Sequence, residues 1–120
     1  MKDSTPMSFE HHSSDEQGAR LVQLKGRIDS ATAGAFEQAV QDLFATPGVR
    51  ALMDFAAVDY ISSAGLRVVL MAAKRAKQAQ GRLLLCGLPQ HVREVFEISG
   101  FLKIIDSVSD RAEGLRQLAA

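Results

Sequence analysis

Residues 50–81 read RALMDFAAVDYISSAGLRVVLMAAKRAKQAQG, and they carry the pattern that decides the fold. Residues 50–55 are an apolar run of strand length, and residues 56–61 are predicted to be a connection. A helix is predicted from about residue 63 to residue 80, ended by Gly81 as a left-handed cap. Its apolar face recurs at helical spacing: Leu66, Val69, Leu70 and Ala73. A strand that leads into an amphipathic helix is the unit of a parallel α/β sheet.

The same alternation continues toward the C-terminus. Residues 82–86 predict another strand, and Pro89 is suited to open a third helix that Gly100 closes. A short last strand is predicted at residues 103–105. Ser109 or Asp110 is predicted to cap a fourth helix.

Two strands are predicted before the first helix. Residues 7–11 alternate apolar and polar side chains, residues 13–18 are rich in turn formers, and residues 19–28 form the second strand of an antiparallel hairpin. Gly26 marks a bulge or a strand end. The first helix starts at Asp29 or Ser30, with Phe36, Val40, Leu43 and Phe44 as its apolar stripe, and Pro47-Gly48 stops it. We expect one domain over residues 7–120, preceded by a flexible N-terminus at residues 1–6.

Composition excludes several classes of protein. Fourteen basic residues balance 14 acidic ones, and this zero net charge argues against a nucleic-acid binder. Cys86 is the only cysteine, so no internal disulfide can form, and we expect it to be buried in a strand. No apolar run reaches the roughly 18 residues of a membrane span, and no signal-peptide core is found. We therefore expect a cytoplasmic monomer that contacts neither nucleic acid nor membrane.

Catalytic and metal sites find little support. A serine hydrolase of this class carries Gly-x-Ser-x-Gly, but the leading glycine is absent before Ser62 and Ser63, and His91 is the only downstream histidine. His11 and His12 are adjacent on a predicted strand, so they point to opposite faces and are poorly placed to share a metal. We predict no cofactor.

Basic residues accumulate in and after the second helix. No acidic residue stands between Leu66 and Arg82. Two interpretations are open: a solvated helix face, or a contact for an acidic partner surface. The cations are Arg67, Lys74, Arg75, Lys77 and Arg82.

The serine pair at the start of this helix is the strongest candidate site. Ser62 or Ser63 can cap the helix by accepting a hydrogen bond from a free backbone N–H group. The same location favours a phosphate, because unpaired N–H groups and the positive end of the helix face it. Gly65 would let a partner's backbone approach closely.

Three motifs in this order and spacing resemble the STAS domains, and within them the bacterial anti-sigma factor antagonists. They are LKGRID at residues 24–29, MDFAAVDYISSAGL at residues 53–66 and VREVFEISGF at residues 92–101. The resemblance covers about residues 7–118. It implies a mixed, mostly parallel sheet of about five strands, with four helices mainly on one face.

The resemblance also implies a function. Antagonists of this family bind a kinase-type anti-sigma factor, which uses ATP to phosphorylate them and so ends the interaction, and a PP2C-type phosphatase restores it. Aligned through Gly65 and Leu66, the phosphoacceptor is Ser63. This chain departs from the family pattern on both sides of it: Ser62 stands where the family has aspartate, and Ala64 where it has a second hydroxyl. Because Ser62 carries a hydroxyl, it is the second choice. Asp29 and Asp59 are expected to frame the site. The partner-binding residues are then Asp29, Asp59, Ser62, Gly65, Leu66, Val68 and Met71, although Leu66 could instead belong to the core.

Two alternatives remain. The chain could be a STAS accessory subunit of a lipid-transport ABC system or of a sensory assembly, in which Ser63 would be merely a helix cap. It could also be a small hydrolase using Ser63 and His91, which predicts ester turnover. We expect no such turnover and no catalytic activity of the chain itself.

Overall fold

The computed structural model describes residues 9–119, which alternate between strands and helices after an opening hairpin. The elements in chain order are β1 (Phe9–Glu16), β2 (Ala19–Ile28), α1 (Ala33–Gln41), β3 (Arg50–Ile61), α2 (Ser63–Gln78), β4 (Arg82–Cys86), α3 (Gln90–Ser99), a 3₁₀ turn (Phe101–Lys103), β5 (Asp106–Val108) and α4 (Arg111–Ala119).

The strands form one five-stranded sheet in the order β1-β2-β3-β4-β5. β1 pairs antiparallel with β2, and every later strand is parallel to the one before it. This arrangement confirms the predicted hairpin and the predicted parallel pairing. Parallel neighbours require a crossover, and right-handed crossovers place the connecting helices α1, α2 and α3 on the same face of the sheet.

The two faces of the sheet bury cores of different size. On the larger side, Phe36 of α1, Val69 of α2 and Phe96 of α3 are fully buried in one apolar cluster. On the other side, α4 covers a smaller cluster through Leu115 and Leu118. The expectation of helices mainly on one face is therefore confirmed.

Cys86 is free and fully buried in the smaller cluster, as predicted. Burial, reinforced by the nearby charge of Asp54, raises the pKa of its thiol to about 12. The thiol therefore stays protonated at neutral pH.

The hairpin is longer and its turn tighter than predicted. β1 runs to Glu16, and only Gln17 and Gly18 form the turn, with φ of 54° and 83°. Two consecutive residues with positive φ are typical of a type I′ turn, whose twist matches that of the strands it joins. The polar residues of β1 were misread as a turn because much of this edge strand is exposed. Residues 7 and 8 of the predicted strand lie outside the described residues.

β3 and the last strand also differ from the prediction. The predicted connection at residues 56–61 is instead the second half of β3, in which Val58 and Ile61 are buried. Two register shifts interrupt the β2–β3 pairing here and mask the alternation. The last strand lies at β5, not at residues 103–105, because Gly100 in a left-handed conformation leads the chain into the 3₁₀ turn first.

Three helix boundaries were wrong. α1 begins only at Ala33, after a turn at residues 30–32, and ends at Gln41. α2 ends at Gln78, and Gln80, not Gly81, has the positive φ of 56°. Gly81 instead allows a close approach of two backbone segments. A Cβ there would lie 2.3 Å from the carbonyl oxygen of Val49, so this contact requires glycine.

Candidate functional site

The serine pair lies where β2 and β3 end side by side. Ile28 and Ile61 are paired in the parallel register, and the N–H of Ser62 donates to the carbonyl oxygen of Ile28 over 2.8 Å. This bond extends the β2–β3 ladder by one residue. It anchors the start of α2 to the central strands.

The structure separates the two serines. Ser62 is the N-cap of α2, and its Oγ accepts from the N–H of Gly65 at 3.5 Å, the long limit of a hydrogen bond. Ser63 is the first helical residue and is exposed. Within residues 9–119, no hydrogen bond of the Ser63 side chain is found. The hydroxyl of Ser63 is therefore presented to solvent, while that of Ser62 serves the helix.

Gly65 is buried and allows close packing within the molecule, which corrects the expectation that it admits a partner. A Cβ at this position would lie 2.6 Å from Cγ2 of Ile28 and 2.8 Å from Cγ1 of Ile61. Because these are buried, branched side chains, α2 can approach the strand ends only with glycine here.

Two further residues expected at the partner surface belong to the core. Leu66 and Val68 are 6 % and 4 % exposed and join the large apolar cluster. α2 lies on the sheet so that both side chains point inward. This orientation corrects the assignment of Val68 to the partner surface and, of the two alternatives for Leu66, favours the core. Met71 is half-buried and accessible, so its role remains a prediction.

Asp29 is committed to the β2–α1 turn. Its Oδ1 accepts from the N–H of Ala31 at 3.0 Å and of Thr32 at 3.2 Å, and its Oδ2 pairs with Nε of Arg27 at 3.0 Å. Partial desolvation would raise the pKa of this carboxyl, but the Arg27 guanidinium and the backbone donors outweigh it, so the pKa is lowered. The carboxylate thus holds the turn that lies beside the serine pair.

Arg27 also lies over the ring of Tyr60, with its guanidinium carbon 4.2 Å from the ring centroid. The two residues are paired across β2 and β3, and Tyr60 is 39 % exposed, one of the few large apolar side chains at the surface. This cation–π pair was missed from the sequence. The pairing depends on two register shifts between these strands, for which the sequence offers Gly26 as the one signal.

Asp59 is exposed, and α3 contacts its backbone through His91. Nε2 of His91 lies within hydrogen-bond reach of the carbonyl oxygen of Asp59. The predicted hydrolase would instead need His91 bonded to Ser63 as its base. His91 is thus engaged with Asp59, and no hydrogen bond joins it to Ser63 within residues 9–119.

The site is a surface, not a cavity. A cavity of about 300 Å³ lies elsewhere, beside α4, and Lys25, Asp54 and Arg111 are among the residues that line it. Over residues 9–119, no group of three or more His, Cys, Asp or Glu side chains is arranged to hold a metal ion. In the same part of the chain, none of the helices has the length and apolarity needed to cross a membrane.

Comparison with protein families identifies this architecture. A family model described as "Mlab, STAS domain" matches residues 12–106. The chain belongs to the STAS domain family. A relative from Bordetella bronchiseptica, described as an anti-sigma factor antagonist, BtrV, is 47 % identical over 94 residues, which are 78 % of this chain and 81 % of the relative.

Solved structures of STAS proteins share the fold. The crystal structure of an anti-sigma factor antagonist from Mycobacterium paratuberculosis superposes with a TM-score of 0.87 at 23 % identity, covering 98 % of this chain and 99 % of that one. The Bacillus cell fate determinant SpoIIAA, in its phosphorylated form, gives a TM-score of 0.69 at 16 % identity, with 90 % and 98 % covered. The expected STAS fold is thereby confirmed.

Proposed function

We propose that this STAS domain is an anti-sigma factor antagonist that is switched off by phosphorylation of Ser63. The observation that carries the proposal is the division of labour between the serines: Ser62 caps α2, whereas the hydroxyl of Ser63 is exposed at the start of the helix. The naming of the Bordetella relative as an anti-sigma factor antagonist supports the same function.

The partner in this proposal is a kinase-type anti-sigma factor that brings its own ATP. The antagonist binds it while Ser63 carries a free hydroxyl, and a PP2C-type phosphatase later regenerates that hydroxyl. The antagonist needs no cofactor and no catalytic group, and its place of action is the cytoplasm. In the structure, His91 contacts the carbonyl oxygen of Asp59.

A phosphate on Ser63 would block the partner without unfolding the domain. It adds a charge of about −1.5 to −2. The first turn of α2 contains no acidic residue, and its positive helix end tolerates such a charge. A partner packed over the same spot would have to desolvate the phosphate and accommodate its charge.

The test uses the purified protein, a kinase-type anti-sigma factor from the same organism, and ATP. We expect one phosphate on Ser63 by mass spectrometry, retained in Ser62→Ala and absent in Ser63→Ala. We expect phosphorylation to weaken binding roughly 5–150-fold, the usual range of such coupling. Modification of Ser62, or equally tight binding by the phosphorylated protein, would contradict the proposal. Copurification with permease and ATPase subunits instead would favour the transport role.

A further inference from the structure

The cations of α2 divide into two groups. Nη1 of Arg75 donates to the carbonyl oxygen of Gln41, and Nη1 of Arg82, just beyond the helix, donates to that of Gln117. Arg67, Lys74 and Lys77 are exposed on the helix surface, and no carboxylate within residues 9–119 forms a salt bridge with any of them. Two of the five cations in the predicted basic cluster are therefore engaged within the molecule, and three are left without a salt bridge in the part of the chain that the structure describes.

Arg67 stands four residues after Ser63 in the same helix, and both side chains are exposed. Residues at this spacing are neighbours on a helix surface, with Cβ atoms about 5–6 Å apart. The order also matters: an anion one turn before a cation is the favourable arrangement, because it agrees with the helix dipole.

We propose that Arg67 binds the phosphate group on Ser63 in the phosphorylated protein. This inference rests on the proposed function, since it requires a phosphate at that position. A guanidinium donates two parallel hydrogen bonds to phosphate oxygens, so arginine suits this role better than lysine. Phosphorylation then does two things at once: it adds negative charge at the start of α2 and removes the free cation next to it.

Other cations are badly placed for this role. Arg27 is held by Asp29 and by the ring of Tyr60. Lys74 is eleven residues beyond Ser63, which is about 16 Å along the helix axis. Lys74 is thus a matched control: it is an exposed cation in the same helix but is out of reach.

The test needs neither kinase nor partner. Phosphoserine is incorporated at position 63 during translation, and its second ionisation is followed by ³¹P NMR in the otherwise wild-type protein, in Arg67→Gln and in Lys74→Gln. We expect the pKa of the phosphate to rise in Arg67→Gln by roughly 0.2–0.4 units, the size expected for an exposed i,i+4 pair on a helix. In Lys74→Gln, the pKa of the phosphate should differ from that in the otherwise wild-type protein by no more than about half of that shift.

A second measurement separates a direct pair from a general charge effect. The Nε–H resonance of Arg67 in a ¹H–¹⁵N spectrum should move when Ser63 carries phosphate. The same movement should be seen in Lys74→Gln. Equal phosphate pKa values in wild type and Arg67→Gln, or an unmoved Arg67 resonance, would overturn the inference and leave the proposed function standing. Failure of a kinase to modify Ser63 would overturn the proposed function without altering this result.

Discussion

Two strand-to-helix junctions lie side by side at one edge of the sheet, and they use their polar side chains in different ways. Between β2 and α1, both carboxylate oxygens of Asp29 are bonded, and the hydroxyl of Thr32 donates to the carbonyl oxygen of Arg27 at 2.8 Å. Between β3 and α2, Ser62 makes one long capping bond and Ser63 is exposed. The first junction uses its polar groups in local hydrogen bonds, whereas the second leaves the hydroxyl of Ser63 exposed, as the proposed function requires.

The difference between the junctions explains how an exposed serine can lie beside a well-ordered turn, where β2 and β3 end. Ser62 is tied to Ile28, which is the last residue of β2 and directly precedes the Asp29 turn. The β2–α1 junction therefore positions the backbone of the β3–α2 junction through the bond between Ile28 and Ser62. A phosphate can be added to Ser63 without removing any hydrogen bond that holds this edge together.

Among the features of the two junctions, the close packing of α2 at Gly65 should be the most sensitive to substitution. Gly65→Ala is expected to lower the free energy of unfolding by about 1–3 kcal/mol, because the new Cβ overlaps Ile28 and Ile61. Gly34→Ala in α1 is the control, since nothing lies within 4 Å of its added Cβ, and it should gain up to about 1 kcal/mol. Urea unfolding of both variants measures the effect. Wild-type stability in Gly65→Ala would show that the second junction is looser than its contacts indicate.

Removal of the Asp29 carboxylate tests the β2–α1 junction. Asp29→Ala should lower the free energy of unfolding, because the N–H groups of Ala31 and Thr32 lose their acceptor, whereas Asp29→Asn keeps an acceptor and should lower it less. Urea unfolding of both variants at pH 7 checks the order. A loss in Asp29→Ala no larger than that in Ser62→Ala would remove the contrast between the junctions.

The same carboxylate predicts a pH dependence. The pKa of Asp29 is lowered from its usual 3.8 in the folded protein, so its charge contributes stability that is fully present above that value. The contribution is lost as the pH falls through the lowered folded pKa. Chemical unfolding across this acidic range should therefore show the stability difference between wild type and Asp29→Asn shrinking below about pH 4. A difference that widens there would contradict the assigned sign.

The smallest expected effect separates the two serines. Ser62→Ala should cost about 0.5–1 kcal/mol, at the low end for an N-cap because its bond is long. Ser63→Ala should stay within about 0.5 kcal/mol of wild type, as is usual for an exposed side chain without partners. Thermal unfolding of the two variants decides the matter. Equal losses would mean that Ser63 also supports the helix.

Local chemistry explains which parts of the fold could be predicted. The start of α2 at the serine pair and the capping of α4 by Asp110, whose Oδ1 accepts from the N–H of Glu113 at 2.9 Å, follow from signals within a few residues. The end of α2 and the second half of β3 could not be predicted in this way. The first depends on how closely Gly81 passes Val49, and the second on two register shifts between β2 and β3.

The sequence by itself determined the α/β alternation, the family and the serine pair, because periodicity, caps and motifs are read from neighbouring residues. Only the tertiary structure decided which serine is exposed, which side of α2 faces the core, and which groups meet Asp29 and Asp59. Two examples are the contact of Arg27 with Tyr60 and that of His91 with Asp59, each of which joins residues of different elements. They depend on strand register and on the seating of helices on the sheet, which packing sets only when the whole chain is folded.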